Sequence, residues 1–234
     1  MTFWDELTGT QPDPPNAVVL VTGAVALLLV VSGSPWRLAR NVITIVHEAG
    51  HALIAVLVGR RLRGITLHSD TSGVTVSRGK REGPGMVCTA LAGYVAPSLI
   101  GIGLGALFGA GKITLLLWVM TALMLAVLVM IRNLYGVLSV LVTGAALVVV
   151  SVVTTSEVQS AFACLIVWFL LFGGIRPVWE LQVKRHRGHA RDSDADQLGR
   201  LTGVPGIFWV AMFMIVALGA TFVGGMWLLE PIIG

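Results

Sequence analysis

Residues 42–58 read VITIVHEAGHALIAVLV, a run whose only ionisable side chains are His47, Glu48 and His51. As a helix rising about 1.5 Å per residue, it comes close to spanning a hydrocarbon core of about 30 Å. Two histidines and a glutamate in the middle of such a segment are unfavourable to bury without partners, so ionisable groups at that depth default to a functional reading. The pattern His-Glu-x-x-His arises by chance roughly 0.003 times at the His and Glu frequencies of this chain, which makes it informative despite its shortness.

The rest of the chain agrees with a membrane setting. Of 234 residues, 56% are hydrophobic and 12% charged, with a mean hydropathy of +0.87, against about 25% charged residues in soluble domains. Seven apolar runs occupy 17–31, 42–58, 86–108, 113–131, 134–153, 158–175 and 205–229. They predict one all-α polytopic membrane domain over 1–234, a bundle of about six to seven transmembrane helices. An acidic N-terminal segment followed by an apolar run without a small-residue cleavage site reads as an uncleaved first helix. Cys88 and Cys164 both lie in apolar runs and read as small hydrophobes.

The net charge of +4 and pI of 9.6 do not point to nucleic acid, because the basic residues gather in short loops between apolar runs. With seven spans, alternate loops hold thirteen Lys and Arg on one side and three, Arg37, Arg40 and Lys112, on the other. The positive-inside rule then predicts a cytoplasmic N-terminus and an outward C-terminus. The loops over 59–85 and 176–203, the latter mixing basic and acidic residues, fall on the cytoplasmic side. Within the first of these, Ile65-Thr66-Leu67 and Val74-Thr75-Val76 flank Ser69-Asp70-Thr71-Ser72-Gly73, predicting a β-hairpin over about 62–78. Gly101, Gly105 and Gly109 recur every four residues and predict a close helix contact.

Residues four apart share a helix face, so His47 and His51 can present their imidazoles to one point, with Glu48 beside that face rather than on it. This is a zinc-ligand spacing with a candidate general base next to it. Charge balance supports a metal: Zn²⁺ with two neutral imidazoles and one carboxylate carries +1, which a neighbouring Glu48 carboxylate brings to zero. A third, acidic ligand is therefore expected. Among acidic residues remote from the motif, only Asp192-Ser193-Asp194-Ala195-Asp196 forms a cluster. Lys184, Arg185, Arg187 and Arg191 lie close to it, so a solvated charge patch is the competing reading.

HEAGHALIAVLVGRRL, the Ser72-Gly73 hairpin, Gly93-Tyr94-Val95-Ala96-Pro97, Arg132-Asn133-Leu134-Tyr135-Gly136, and Ser193-Asp194-Ala195 leading to Leu201-Thr202-Gly203-Val204-Pro205 together resemble the site-2 protease family of intramembrane zinc metallopeptidases. The likeness is in particular to its small bacterial branch, whose members are little more than the membrane core. The resemblance implies one catalytic Zn²⁺ held by His47, His51 and Asp194, with Asp196 as the alternative third ligand and Glu48 as base. Site-2 proteases usually carry that aspartate in Asn-x-x-Pro-x-x-x-x-Asp-Gly, and here Ser-Asp-Ala stands instead. It also implies regulated proteolysis of a transmembrane protein substrate, such as a membrane-anchored regulator, in a bacterial inner membrane.

Two further roles follow from residue chemistry. Asn133 is a candidate donor to a developing oxyanion or a substrate carbonyl, with helix capping as the alternative. Val74 and Val76 mark a strand edge along which an extended substrate can pair. The rival to an enzyme is a catalytically silent membrane scaffold that retains a structural metal.

Overall fold

The computed structural model describes residues 3–188 and 192–233. His189 and Arg191 of the predicted basic loop lie outside the described residues. The elements run α1 (Phe3–Thr8), α2 (Asn16–Val31), α3 (Ser34–Leu57), β1 (Arg61–Leu67), β2 (Gly73–Arg78), α4 (Pro84–Gly109), α5 (Ile113–Met130), α6 (Leu134–Val153), α7 (Ser156–His186), α8 (Asp194–Thr202) and α9 (Gly206–Ile233). Helices α4, α5, α6, α7 and the Gly206–Glu230 part of α9 are each long and apolar enough to cross a bilayer. This is an integral membrane protein, an all-α bundle with one small antiparallel sheet.

Every predicted apolar run falls on a helix, but the first two are joined by a sharp break, the geometry of a broken span or a re-entrant pair. Helices α2 and α3 meet at 98°, and together they make a sixth candidate span. The break has a local cause. Ser32 leaves the helix with an extended backbone, and Pro35 in the first turn of α3 needs no donor there, so a new helix starts in a new direction. The Arg176 guanidinium, projecting from α7, donates to the carbonyls of Val30 and Ser32 and satisfies the end of α2. The HExxH helix therefore starts at Ser34, well before the apolar run at Val42.

The bend also changes the predicted topology. The backbone N–H of Gln11 donates to the Gly111 carbonyl at 2.9 Å, and its side-chain amide bonds Thr114 and Gln159. Lys112 in turn donates to the Thr8 carbonyl. The N-terminal segment thus sits where α4 meets α5 and α6 meets α7, at the end of the bundle opposite the hairpin. The sequence reading sets the N-terminus and the hairpin loop on one side, whereas the structure holds them at opposite ends of the bundle.

Helix α4 is the central element, packed against α3, α7 and α9. The predicted glycine stripe makes that approach possible: a side chain at Gly101 would meet Leu171 at 3.0 Å, Gly105 faces Val167 and Gly224, and Gly109 faces Trp227. Cys164 is buried, accepting a hydrogen bond from Thr22, while Cys88 is exposed. The 176–203 segment, expected as a loop, is largely helical, because α7 continues through His186 and α8 starts at Asp194.

At the hairpin end, β1 and β2 pair from Arg61↔Arg78 to Leu67↔Gly73, with a bulge between Leu62 and Gly64. Gly64 has φ +148, and a side chain there would collide with Arg132. The far edge of β1 is also occupied. Ile65 bridges Ile131 in parallel, the Arg132 N–H donates to the Ile65 carbonyl at 2.9 Å, and Asn133 follows. The α5–α6 turn therefore acts as a partial third strand and leaves β2 as the outer strand.

Candidate metal centre

His47 and His51 project from the same face of α3, with their Nε2 atoms 3.1 Å apart. The Asp194 Oδ2 lies 3.3 Å from His47 Nε2 and 3.2 Å from His51 Nε2. One ligand atom from each residue falls within 4.8 Å of the others, a group able to hold a metal ion. Two imidazoles and a carboxylate are a donor set suited to a divalent metal ion such as zinc. Burial opposes ionisation of Asp194, but His51 and His47 favour it more strongly and hold the carboxyl well below the usual carboxylate range.

The surroundings fit the same use. His51 Nδ1 sits 2.7 Å from the Thr89 carbonyl, so that nitrogen is the protonated one and Nε2 is left free as a ligand. Such a partner fixes both tautomer and ring orientation. Gly93 on α4 stands against both rings. A Cβ there would lie 2.3 Å from His51 Nε2 and 2.6 Å from His47 Nε2, so the rings occupy the space a side chain would need. Gly50 on α3 has the same function one turn away, where a Cβ would meet Ala96 at 2.5 Å, and the two helices close around the imidazoles. Tyr94 places its ring edge-on to His47 with centroids 4.8 Å apart, and stacks on Phe213 of α9 at 5.0 Å.

Asp194 reaches this depth because α8 folds back into the bundle. The Ser193 hydroxyl caps α8 by accepting from the Asp196 N–H, placing Asp194 in the first turn. Ala195 and Leu198 are fully buried with Val210 and Phe213, and this apolar face presses the start of the helix against α4. The alternative third ligand points elsewhere. Asp196 receives the guanidinium of Arg185 and the Ser193 hydroxyl, at 2.9 Å for the latter. The acidic cluster is thus divided, with Asp194 at the histidines and Asp196 in a salt bridge.

Glu48 is 4% exposed, and its Oε2 accepts a hydrogen bond from the Thr75 hydroxyl at 2.6 Å. Gly73 lies directly over the same side chain; a Cβ there would be 2.5 Å from Glu48 Cγ. Strand β2 is therefore the wall of the site. Its Gly73, Thr75 and Ser77 turn inward, and Val74 and Val76 are each about half exposed on the other face. A cavity of about 360 Å³ is bounded by the two histidines, Glu48, Thr75, Tyr94 and Asp194. Sequence alone assigns no role to Thr75, Thr89 or Gly93, although Gly93 lies in one of the stretches that carry the family resemblance. Period-2 alternation through Val74-Thr75-Val76 was the available signal for the first of them.

Asn133 is not at this site. Its amide donates to the Leu67 carbonyl at 2.7 Å and its carbonyl accepts from the Leu67 N–H at 3.2 Å, so both groups are used on β1. Nor does its side chain cap α6. The expected oxyanion contact is replaced by a clamp on β1, the strand next to β2. His68 lies in the hairpin turn, its Nδ1 3.3 Å from the Ser72 hydroxyl.

Comparison with curated proteins and with solved structures gives no match. A family model described as Peptidase M50B-like matches residues 20–224, which include α3, the hairpin and α8. On this match the chain belongs to the Peptidase M50B-like family, of the site-2 protease type.

Proposed function

We propose that this protein is a zinc-dependent intramembrane endopeptidase that hydrolyses peptide bonds in membrane-embedded or membrane-proximal segments of a transmembrane protein substrate. The observation that carries this reading is the convergence of His47, His51 and Asp194 beside a buried Glu48. His47, His51 and Asp194 would hold the ion, and bound there it supplies Lewis-acid activation of water and of the scissile carbonyl. Glu48 is the general base, taking the proton from the attacking water and passing it to the leaving amine. Thr75 orients its carboxylate. The Thr89 carbonyl keeps the His51 ring in the ligand tautomer.

A helical substrate hides its amides in its own hydrogen bonds, so it must be extended before hydrolysis. The outer edge of β2 supports this step, since a peptide adding there as a strand runs alongside Gly73 and Thr75, the two residues of β2 that contact Glu48. Val74 and Val76 lie on that pairing strand. For orientation, Lys112 is the only Lys or Arg in the described segments at the end opposite the hairpin, 3–15, 110–112 and 154–155. The positive-inside rule favours a metal centre facing the cytoplasm with the N-terminal segment outside, and the resemblance to the small bacterial branch favours an inner membrane of bacterial type.

The test pairs metal analysis of purified protein with cleavage of a co-expressed membrane substrate. Wild type should contain one zinc per chain and cleave, and Glu48→Gln should retain zinc and fail to cleave. Zinc at one equivalent with no Glu48-dependent cleavage would favour a silent scaffold. Proline at position 74 or 76, whose N–H groups face β1, should loosen the hairpin that presents the edge and so impair cleavage while sparing zinc; undiminished cleavage would remove the strand-pairing step.

A further inference from the structure

A second cavity, about 960 Å³, opens on the lateral face where α2, α3 and α7 meet, away from the metal centre. Its lower wall is apolar, formed by Leu27, Val30, Val31, Phe172 and Ile175. Five basic residues and one acidic residue line the rest: Arg37, Arg40, Arg176, Lys184, Arg187 and Glu180. Glu180 satisfies two of the cations. Arg40 lies 3.4 Å from its Oε2 and Arg176 3.0 Å from its Oε1. Arg176 also caps α2 and stacks over Trp36, 4.8 Å from the ring centroid. Arg37, Lys184 and Arg187 are exposed, and among the described residues no carboxylate pairs with them; Arg37 bonds only the Ser34 hydroxyl.

The depth of this cleft decides what can enter it. Helix α7 has 31 residues, a length of about 46 Å against a hydrocarbon core of about 30 Å. Counted from Ser156, the core is exhausted near Arg176, so Phe172 and Ile175 remain among acyl chains, while Lys184 and Arg187, about 12 and 16 Å further along the axis, stand on the polar side of the headgroups with side chains long enough to reach back towards them. Trp179, 64% exposed at the mouth, sits where interfacial tryptophans concentrate. The cleft is apolar below and carries three unpaired positive charges above, the profile of one anionic phospholipid.

We propose that this cleft binds an anionic phospholipid of the leaflet on the hairpin side, with the phosphate between Arg37, Lys184 and Arg187 and an acyl chain along α2 and α7. The site braces the bend that launches the HExxH helix, because Arg176 and Glu180 join its wall to the end of α2 and the start of α3.

The test uses the full-length protein in neutral detergent, with lipid adducts read by native mass spectrometry. Dioleoyl-phosphatidylglycerol should bind with one strong site, and dioleoyl-phosphatidylcholine at least about tenfold more weakly. The Arg37→Gln/Lys184→Gln/Arg187→Gln variant should lose that preference, whereas Arg37→Lys/Arg187→Lys should keep it; both should hold as much zinc as wild type. High salt should weaken the wild-type preference. Equal binding of the two lipids, or a preference unchanged in the glutamine variant or in high salt, would overturn the proposal. Full competition by inorganic phosphate at lipid-equivalent concentration would also overturn it, by making the cleft a free-anion site.

Discussion

The hydroxyl of Thr75 donates to the Glu48 carboxylate at 2.6 Å and also lies 3.1 Å from the Glu48 carbonyl, tying the middle of β2 to the HExxH helix. The strand and the helix are separated by 27 residues in sequence, so the hairpin fixes the carboxylate proposed as the base. Thr75→Val keeps the shape of the side chain and removes the donor. It should lower kcat about 10- to 100-fold, the usual loss for a residue that orients a catalytic group, with zinc content unchanged. Thr75→Ser should restore most of the activity. Zinc loss in Thr75→Val would instead make the contact structural.

Gly93 makes a sharper steric prediction. Its missing side chain is the space in which His51 Nε2 and His47 Nε2 sit, and the obstructing atoms belong to rings held on both sides. Gly93→Ala should therefore displace one imidazole and drop zinc from one equivalent to near zero, while the bundle still forms. Metal analysis alongside circular dichroism separates the two effects. Gly103, with open space around it, is the control, and its Ala variant should bind metal normally.

The readability of this chain divides along physical lines. Hydropathy located every membrane helix because apolar burial acts residue by residue, and the spacing of His47 and His51 located the metal face because helical geometry is local. That the N-terminal segment and the hairpin stand at opposite ends was not legible, because the Ser32-Gly33 break between two apolar runs gives no hydropathy signal and the docking of Gln11 on Gly111 is a long-range contact. Asn133 was misassigned for a related reason. A side-chain amide serves equally well as oxyanion donor, helix cap or strand clamp, and only the position of Leu67 decides among them. Asp194 and Asp196 are two residues apart in one acidic run, and the arrival of Arg185 from α7 separates their roles.

That separation is testable by paired variants. Asp194→Asn removes the anionic ligand and should abolish zinc binding and cleavage together. Asp196→Asn should leave zinc at one equivalent and retain most activity. Its effect should be on stability, at about 1 kcal/mol or less because both partners of the Arg185 pair are partly exposed. Retained zinc in Asp194→Asn with loss in Asp196→Asn would reverse the assignment.

Asn133 supplies the last prediction. Its side chain makes the two hydrogen bonds that a neighbouring strand would make to Leu67, so it holds β1 against the end of α5 without touching the metal. Asn133→Ala leaves the Leu67 N–H and carbonyl without these partners in a part-buried position, at a cost of about 1–3 kcal/mol to the local structure. Hydrogen exchange in β1 and β2 should accelerate, and zinc content should not change. Because β2 pairs only with β1 on its inner side, loosening β1 also loosens the edge on which substrate is proposed to dock. The kinetic signature is accordingly a raised KM with a smaller change in kcat. A fall in kcat alone, with hairpin exchange unaltered, would return Asn133 to the oxyanion role that its distance bonds to Leu67 argue against.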